Sequence, residues 1–239
     1  MKRFPILPTI LAALLFSCNN EPAKEETKTA ADTTATVAAT PAETKPVFTP
    51  FKVVTIQSKV KNFEQWEKEY FSDDSLRKAY GITHLLIGRD LKDSNTVYAV
   101  GKMEDMEKAR TFSKLPNLHE ASKGAGLIGS PGFSYAEIIR ENDSPTEFAN
   151  RLGVAHHVKD FSAWLKVFDG EGKANRVSHG VIDRSLARGL VDSNMIYITF
   201  VVSDLAKAKA RMASPELKKI MTDAGVDSPP TIRWYKVVK

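Results

Sequence analysis

Two phrases decide how this chain is read: SKVKNFEQW at residues 58–66 and HHVKDFSAW at residues 156–164. Val60, Lys61, Phe63 and Trp66 in the first stand where Val158, Lys159, Phe161 and Trp164 stand in the second, 98 positions further on. Asn62 and Asp160 share one place in the frame, and only the second phrase begins with two histidines. Further along, the offset becomes 99 and stays there. Arg77 and Gly81 match Arg176 and Gly180, and Arg89 matches Arg188. Asp93-Ser94-Asn95 matches Asp192-Ser193-Asn194, and Tyr98 matches Tyr197. Asp105, Ala109 and Pro131 match Asp204, Ala208 and Pro230. Chance does not hold one register for so long, so the sequence predicts an internal duplication.

Each copy carries the signals of strand, helix, strand, strand, helix, strand. Leu152–Val158 suits a short strand, and Asp160 then offers its carboxylate to the free N–H groups of a helix start. Phe161, Trp164, Leu165 and Phe168 follow at helical spacing. In the first copy Asn62 and Gln65 form a capping-box pattern. Gly81 and Gly180 close the helical segments or their connections. The two Asp-Ser-Asn triplets are turns, because Asp and Asn bond to nearby backbone and tolerate unusual dihedrals. MIYITFVV at 195–202 is β-branched and aromatic, as expected of a strand buried on both faces. Asp204 or Ser203 opens the next helix, and Ser214-Pro215 starts another with a cap and a proline at its first position.

This order is the ferredoxin-like βαββαβ unit, with helices on one face of a four-stranded sheet. The other face of each unit would be an exposed apolar patch. The expectation is therefore an α+β fold: two tandem ferredoxin-like repeats, at 49–142 and 143–239, whose bare faces meet. Their eight strands would then enclose an interior as an intrachain dimeric α/β barrel.

Val-Lys-Asp-Phe-x-x-Trp at 158–164, Ser-Pro-Glu-Leu at 214–217 and Ala-Gly-Val at 224–226 resemble the dimeric α/β-barrel superfamily, which includes antibiotic-biosynthesis monooxygenase-like domains. The resemblance runs from about Phe51 to Lys239 and is strongest to small bacterial members with no assigned activity. It implies one of several outcomes, since the group holds cofactor-independent monooxygenases, haem-degrading enzymes, chlorite dismutase-like proteins and domains without activity. The Asn, Trp and His combination of the haem-degrading members cannot be placed on this chain, so no cofactor is carried over.

The N-terminus carries a different signal. Lys2 and Arg3 precede an apolar run from Ile6 to Phe16, too short to span a bilayer comfortably. Leu15-Phe16-Ser17-Cys18 resembles a bacterial lipobox, and Cys18 is the single cysteine of the 239-residue chain. The resemblance implies a signal peptide at 1–17 and acylation of Cys18, with the lipid bilayer as partner. Asn19 rather than Asp after the cysteine points to the outer membrane of the cell envelope. Residues 18–48 read as a linker, since EPAKEETKTAADTTATVAATPAETKP at 21–46 cannot bury enough apolar surface to offset its ordering entropy. One cysteine excludes an intrachain disulfide. The net charge of +5 falls to +3 without Lys2 and Arg3, and the remaining basic residues are interspersed with acids, which excludes a nucleic-acid binder.

Neighbouring strand residues face opposite sides. Leu152, Val154, His156 and Val158 form the more apolar row and are assigned to the helix side, which turns Gly153, Ala155 and His157 inward. Tyr98 and Tyr197 lie on the more polar rows of their strands and are placed inside as well. The second copy also gathers Arg176, His179, Asp183, Arg184 and Arg188. Together, His156, His157, Arg176, His179, Asp183, Arg188, Tyr98 and Tyr197 are the candidate ligand-binding residues. Arginine offers a planar fork to a carboxylate, and histidine moves protons near neutral pH, so a small aromatic or anionic ligand fits. The plainer readings are a backbone-bonded strand-end histidine, fold-supporting arginine salt bridges and core tyrosines. No metal site is expected, because His156 and His157 diverge and no Cys or carboxylate cluster completes a ligand set. His119 reads as a solvated helix residue.

The expected function is a membrane-anchored lipoprotein with a small-molecule site in the barrel. The alternatives are a cofactor-independent monooxygenase- or isomerase-like enzyme with His157 as base, and a structural or interaction lipoprotein with a filled interior. Sequence leaves open whether the chain is an enzyme and whether it forms a homo-oligomer.

Overall fold

The computed structural model describes residues 48–116, 124 and 126–239. They fall within the unit Pro46–Lys239. The signal-like segment, Cys18, the spacer and His119 lie outside the described residues.

The first half runs β1 (Phe51–Lys59), α1 (Phe63–Ser72), α2 (Asp74–Ala79), β2 (Ile82–Asp90), β3 (Thr96–Met103), α3 (Met106–Ser113) and β4 (Gly132–Glu141). The second runs β5 (Asn150–His157), α4 (Phe161–Glu171), α5 (Lys173–Ser178), β6 (Val181–Gly189), β7 (Met195–Val202), α6 (Leu205–Ala213), α7 (Pro215–Asp223) and β8 (Thr231–Val237).

Local chemistry accounts for the helix starts. Asn62 accepts from the Gln65 N–H at 2.9 Å and Asp160 from the Ala163 N–H at 2.7 Å. Asp105, Asp204 and Ser214 accept in the same way from the N–H groups of Lys108, Lys207 and Leu217, at 2.9, 3.0 and 3.1 Å respectively. Each satisfies a donor that the helix itself leaves free. The capping box at Asn62 is only half made, because the Gln65 side chain donates instead to the Gly124 carbonyl at 2.7 Å. The helical segments after β1 and β5 are each split in two. In the second half the break falls at Gly172, whose φ of 79° is in the left-handed region that favours glycine.

All strand pairs are antiparallel, and the neighbours run β1-β3-β2-β8-β5-β7-β6-β4, with β4 returning to β1. Here the fold expectation is corrected. The halves are not two separate sheets meeting through bare faces. They share one sheet, joined edge to edge at β2–β8 and β4–β6, so that each half supplies partners for the other's unpaired N–H and C=O groups. Nor are the two joints equal in extent. The β4–β6 seam runs from Ala136↔Gly189 to Glu141↔Ser185. The β2–β8 ladder has three pairs, from Gly88↔Val237 to Asp90↔Tyr235. Bonds from Leu91 N–H to the Trp234 carbonyl and from Val238 N–H to the Ile87 carbonyl extend it slightly. Ile82–Leu86 has no β8 partner among the described residues.

The core lies mainly between the sheet and its helices. Leu152, Val154, Val158, Ile196, Ile198 and Phe200 pack against Trp164 and Ala208 in the second half. Val60, Phe63, Trp66, Ile87 and Val97 form a corresponding cluster in the first. β7 is not buried on both faces as expected. Ile196, Ile198 and Phe200 are buried, while Tyr197 and Thr199 between them are half-buried on the inner side. No helix among the described residues is long and apolar enough to cross a membrane.

Candidate functional site

The eight residues singled out from sequence do not form one site. The structure distributes them among a pocket beneath the helices, a chamber inside the strands, and surface or scaffold positions.

His156 is on the helix side of β5 and only 2% exposed. Its neighbours on that row, Leu152 and Val154, are equally buried, so the strand period that hides them also hides the imidazole. The ring stands edge-on to Trp164, with centroids 5.6 Å apart. Neither Nδ1 nor Nε2 has a hydrogen-bond partner. Burial pulls its pKa down from the usual 6.5 to about 4, because nothing nearby compensates an imidazolium. At neutral pH the ring is uncharged, with one donor and one acceptor both unused. It borders a pocket of about 90 Å³ shared with Trp164, Phe168, Met212, Leu217 and Met221. Arg211, also at this pocket, is 7% exposed. It is tied to Glu171 at 2.9 Å and Glu216 at 3.0 Å while its Nε is left free. Helix α7, which closes this side, has no buried residue of its own.

Arg176 and His179 line the same pocket, but their donors are engaged. Arg176 reaches both carboxylate oxygens of Asp183, at 2.6 and 2.8 Å, and the Phe168 carbonyl at 2.8 Å. This fork locks α5 and the end of α4 onto β6. His179 Nδ1 lies 2.8 Å from the Asn175 carbonyl. Arg188 bonds the Ser193 carbonyl at 2.8 Å and lies over the Phe161 ring at 4.1 Å. Arg89 repeats that arrangement with Ser94 and Phe63, at 2.9 and 4.1 Å. Asp183 and Arg188 are therefore scaffold residues here.

His157 is corrected. It ends β5 beyond the chamber instead of lining it. Its Nδ1 is 2.6 Å from Asp227, its Nε2 is 3.4 Å from Asp192, and its backbone N–H donates to Ser228 at 2.8 Å. The hydrogen bond with Asp227 raises its pKa, with both carboxylate charges adding to the effect. The inward row ends at Ala155, because its next member, two positions on, is His157 beside the turn at Asp192.

Tyr98 and Tyr197 do face inward, into a chamber of about 480 Å³ bordered by all eight strands. Tyr98 donates to Asp90 at 3.0 Å. Burial and the Asp90 charge raise its pKa. Sequence reasoning missed Tyr235, Arg151 and Arg233 in the polar lining; Arg184, one of the polar groups of the second copy, lines the chamber too. The signal for two of these was present in TIRWYKVV, where Arg233 and Tyr235 share the parity of one strand face. Among the described residues, no group of three or more His, Cys, Asp or Glu is placed to hold a metal ion.

This sheet and helix arrangement is shared with solved structures. One is a candidate monooxygenase from Fusobacterium nucleatum subsp. nucleatum, 13% identical over 80% of this chain and 93% of that one, with a TM-score of 0.50. Another is an anthrone oxidase-like protein, 13% identical over 79% and 92% of the respective chains, with a TM-score of 0.51. No protein-family model and no curated protein matches the sequence. At these identities the likeness shows the fold alone: a mixed α+β domain with a ferredoxin-like repeat pattern.

The expected lipid-anchored, outer-membrane location is corrected at this point. It rested on residues outside the described part. No helix among the described residues is long and apolar enough to cross a membrane, and the two similar structures are described by oxidative activities. Membrane anchoring is not carried into the functional reading.

Proposed function

We propose that the chain is a cofactor-independent oxygenase or isomerase acting on a small aromatic or enolic compound, with His156 as the proton acceptor in the pocket beneath α4, α6 and α7. The observation that carries this reading is an imidazole buried to 2% exposure with both nitrogens unpartnered and bordering a pocket. Leaving such a group unsatisfied costs about 1–3 kcal/mol, a cost that a functional partner for the ring would offset.

A base whose pKa is near 4 is weak toward solvent protons. Inside the pocket the relevant product is different, because the imidazolium forms beside the substrate anion it creates. The pair is neutral overall, so the desolvation that depresses the free ring's pKa is largely relieved. In the oxidative form, a CH₂ between aromatic rings loses a proton to His156. The carbanion then reduces dioxygen, with the balance R₂CH₂ + O₂ → R₂C=O + H₂O. In isomerisation the same proton returns to another carbon. The two similar structures, a candidate monooxygenase and an anthrone oxidase-like protein, favour the oxidative form.

The pocket as it stands is smaller than the usual 300–1,000 Å³ of a ligand site. Met212 and Met221 border it, and methionine repacks readily. Movement of α7, with no buried residue, would admit a ring. The first half has Ser58 where the second has His156. In this proposal the chain is a tandem pair, 49–142 and 143–239, of which only the second copy keeps the site.

The test is dioxygen uptake and product spectra with anthrones and polycyclic phenols, comparing wild type with His156→Leu, alongside ¹⁵N spectra of the imidazole. Turnover that His156→Leu abolishes, with ring signals that move on substrate addition, is the expected result. No uptake, no isomerised product and unmoved His156 signals across the panel would remove the reading.

A further inference from the structure

We propose that the strand-enclosed chamber is a second, independent site that binds an organic monoanion with an aromatic body, held by Arg233 with Arg151 and Arg184.

Three guanidiniums border this chamber, and none forms a salt bridge with a carboxylate among the described residues. Arg184 donates to the Ser144 carbonyl at 3.1 Å, and Arg151 to the Phe148 and Asn150 carbonyls at 2.5 and 3.0 Å. Arg233 has neither hydrogen bond nor ion pair among the described residues, and lies 5.7 Å from the centre of the Tyr98 ring. All three act electrostatically on Tyr235, a residue only 8% exposed. The buried arginines outside the chamber have anionic partners, Arg176 with Asp183 and Arg211 with Glu171, whereas Arg89 and Arg188 bond backbone carbonyls and lie over aromatic rings. The carboxylate nearest in role, Asp90, is already committed to Tyr98 and to the N–H groups of Lys92 and Asp93. Glu141 and Lys239 also border the chamber, and neither pairs with the three arginines.

Like charges gathered in a partly desolvated space repel one another, and a bound anion relieves that cost. Burial, with Arg184's charge adding to it, already lowers the pKa of Arg151. A second set of residues defines the rest of the ligand. Val53, Ala136 and Ala187, with Phe51, Val100 and Ile138 against them, form an apolar cluster among the chamber-lining residues. Phenolic groups of Tyr197 and Tyr235 add weak donors. A chamber of about 480 Å³ is within the range that holds compact organic ligands. An apolar wall and a cationic group together fit an aryl carboxylate better than an inorganic ion or a neutral ring.

The experiment uses the full chain with 2-naphthoate as probe, 2-naphthalenemethanol as its neutral counterpart, and chloride and phosphate as inorganic competitors. Calorimetric titration should show naphthoate binding, at least tenfold weaker binding of the alcohol, and at least tenfold loss in Arg233→Met. Arg184→Gln, at the edge of the cluster, should weaken binding by a smaller factor and serves if Arg233→Met fails to fold. His156→Leu should leave naphthoate binding unchanged, which separates this site from the proposed reaction site. The proposal is overturned if millimolar naphthoate does not bind, if the alcohol binds equally well, or if binding survives both arginine substitutions. It is also overturned if His156→Leu abolishes binding, or if phosphate displaces naphthoate as an equal.

Discussion

Gly88 on β2 lies directly against the ring of Tyr235 on β8, so closely that a Cβ there would sit 3.0 Å from Cε2 and nearer still to the adjacent ring carbon. The missing side chain is what lets the tyrosine enter the chamber at the place where the two halves join. Gly88→Ala would displace the ring and loosen the β2–β8 seam. The expected loss is about 1–3 kcal/mol, measured by urea denaturation, with weaker naphthoate binding. Gly132→Ala, where a Cβ meets nothing, should be close to neutral.

The two adjacent histidines give opposite pH signatures. For His156 the folded pKa is below the unfolded value, so as pH falls below about 6.5 the unfolded chain takes a proton that the folded chain refuses. Stability falls until pH reaches about 4, where the folded ring also protonates. The loss is on the order of 3 kcal/mol across that window. His156→Leu should flatten this slope, as read from denaturation midpoints between pH 7 and 4.

His157 works the other way. Its folded pKa is raised through Asp227, so its contribution is present in full below the unfolded pKa and disappears as pH rises through the folded value. His157→Ala should remove a stability change on the alkaline side of 6.5 while leaving the acid-side slope intact. A variant that alters the acid side instead would contradict the assignment.

Arg176→Met strands the Asp183 carboxylate, which is paired with a guanidinium that is only 5% exposed. Breaking one partner of such a pair costs about 3–5 kcal/mol, whereas replacing both with apolar residues costs much less. The double variant Arg176→Met/Asp183→Leu should recover most of the loss in thermal melts. If single and double variants melt together, the fork contributes little.

The seams should differ in hydrogen exchange. Ladder amides on the three-pair β2–β8 seam, around Gly88–Asp90, should exchange through local opening before those on the β4–β6 seam around Ala136–Glu141. Equal protection would mean that both seams open only with the whole fold.

Much of the scaffold was legible because it is written in local chemistry. Asn62, Asp105, Asp160, Asp204 and Ser214 are caps recognisable from their residue type and the pattern after them. Strand parity placed His156 toward the helices and Tyr98 and Tyr197 inward. What parity could not supply was extent. It turned His157 inward without revealing that the strand outruns the chamber and meets Asp192 and Asp227. Arg176 and Asp183 looked like site residues because charge clustering in sequence does not distinguish a ligand clamp from a structural one. Arg151, Arg184 and Arg233 come from three different strands, and only tertiary pairing brings them together. The edge-to-edge joining was missed because an unsatisfied strand edge has no compositional signature, while an apolar face does.

The connector between β4 and β5 covers only residues 142–149, and this gives the unequal seams a consequence for crowded refolding. The edges that a chain offers to its own other half are the same edges it offers to a neighbour. The short tether favours self-closure through a high effective concentration. As protein concentration approaches that value, chains caught with the weaker clasp undone can trade halves and close as interlinked pairs. Every strand contact would be kept, and only the ownership of the strands would change.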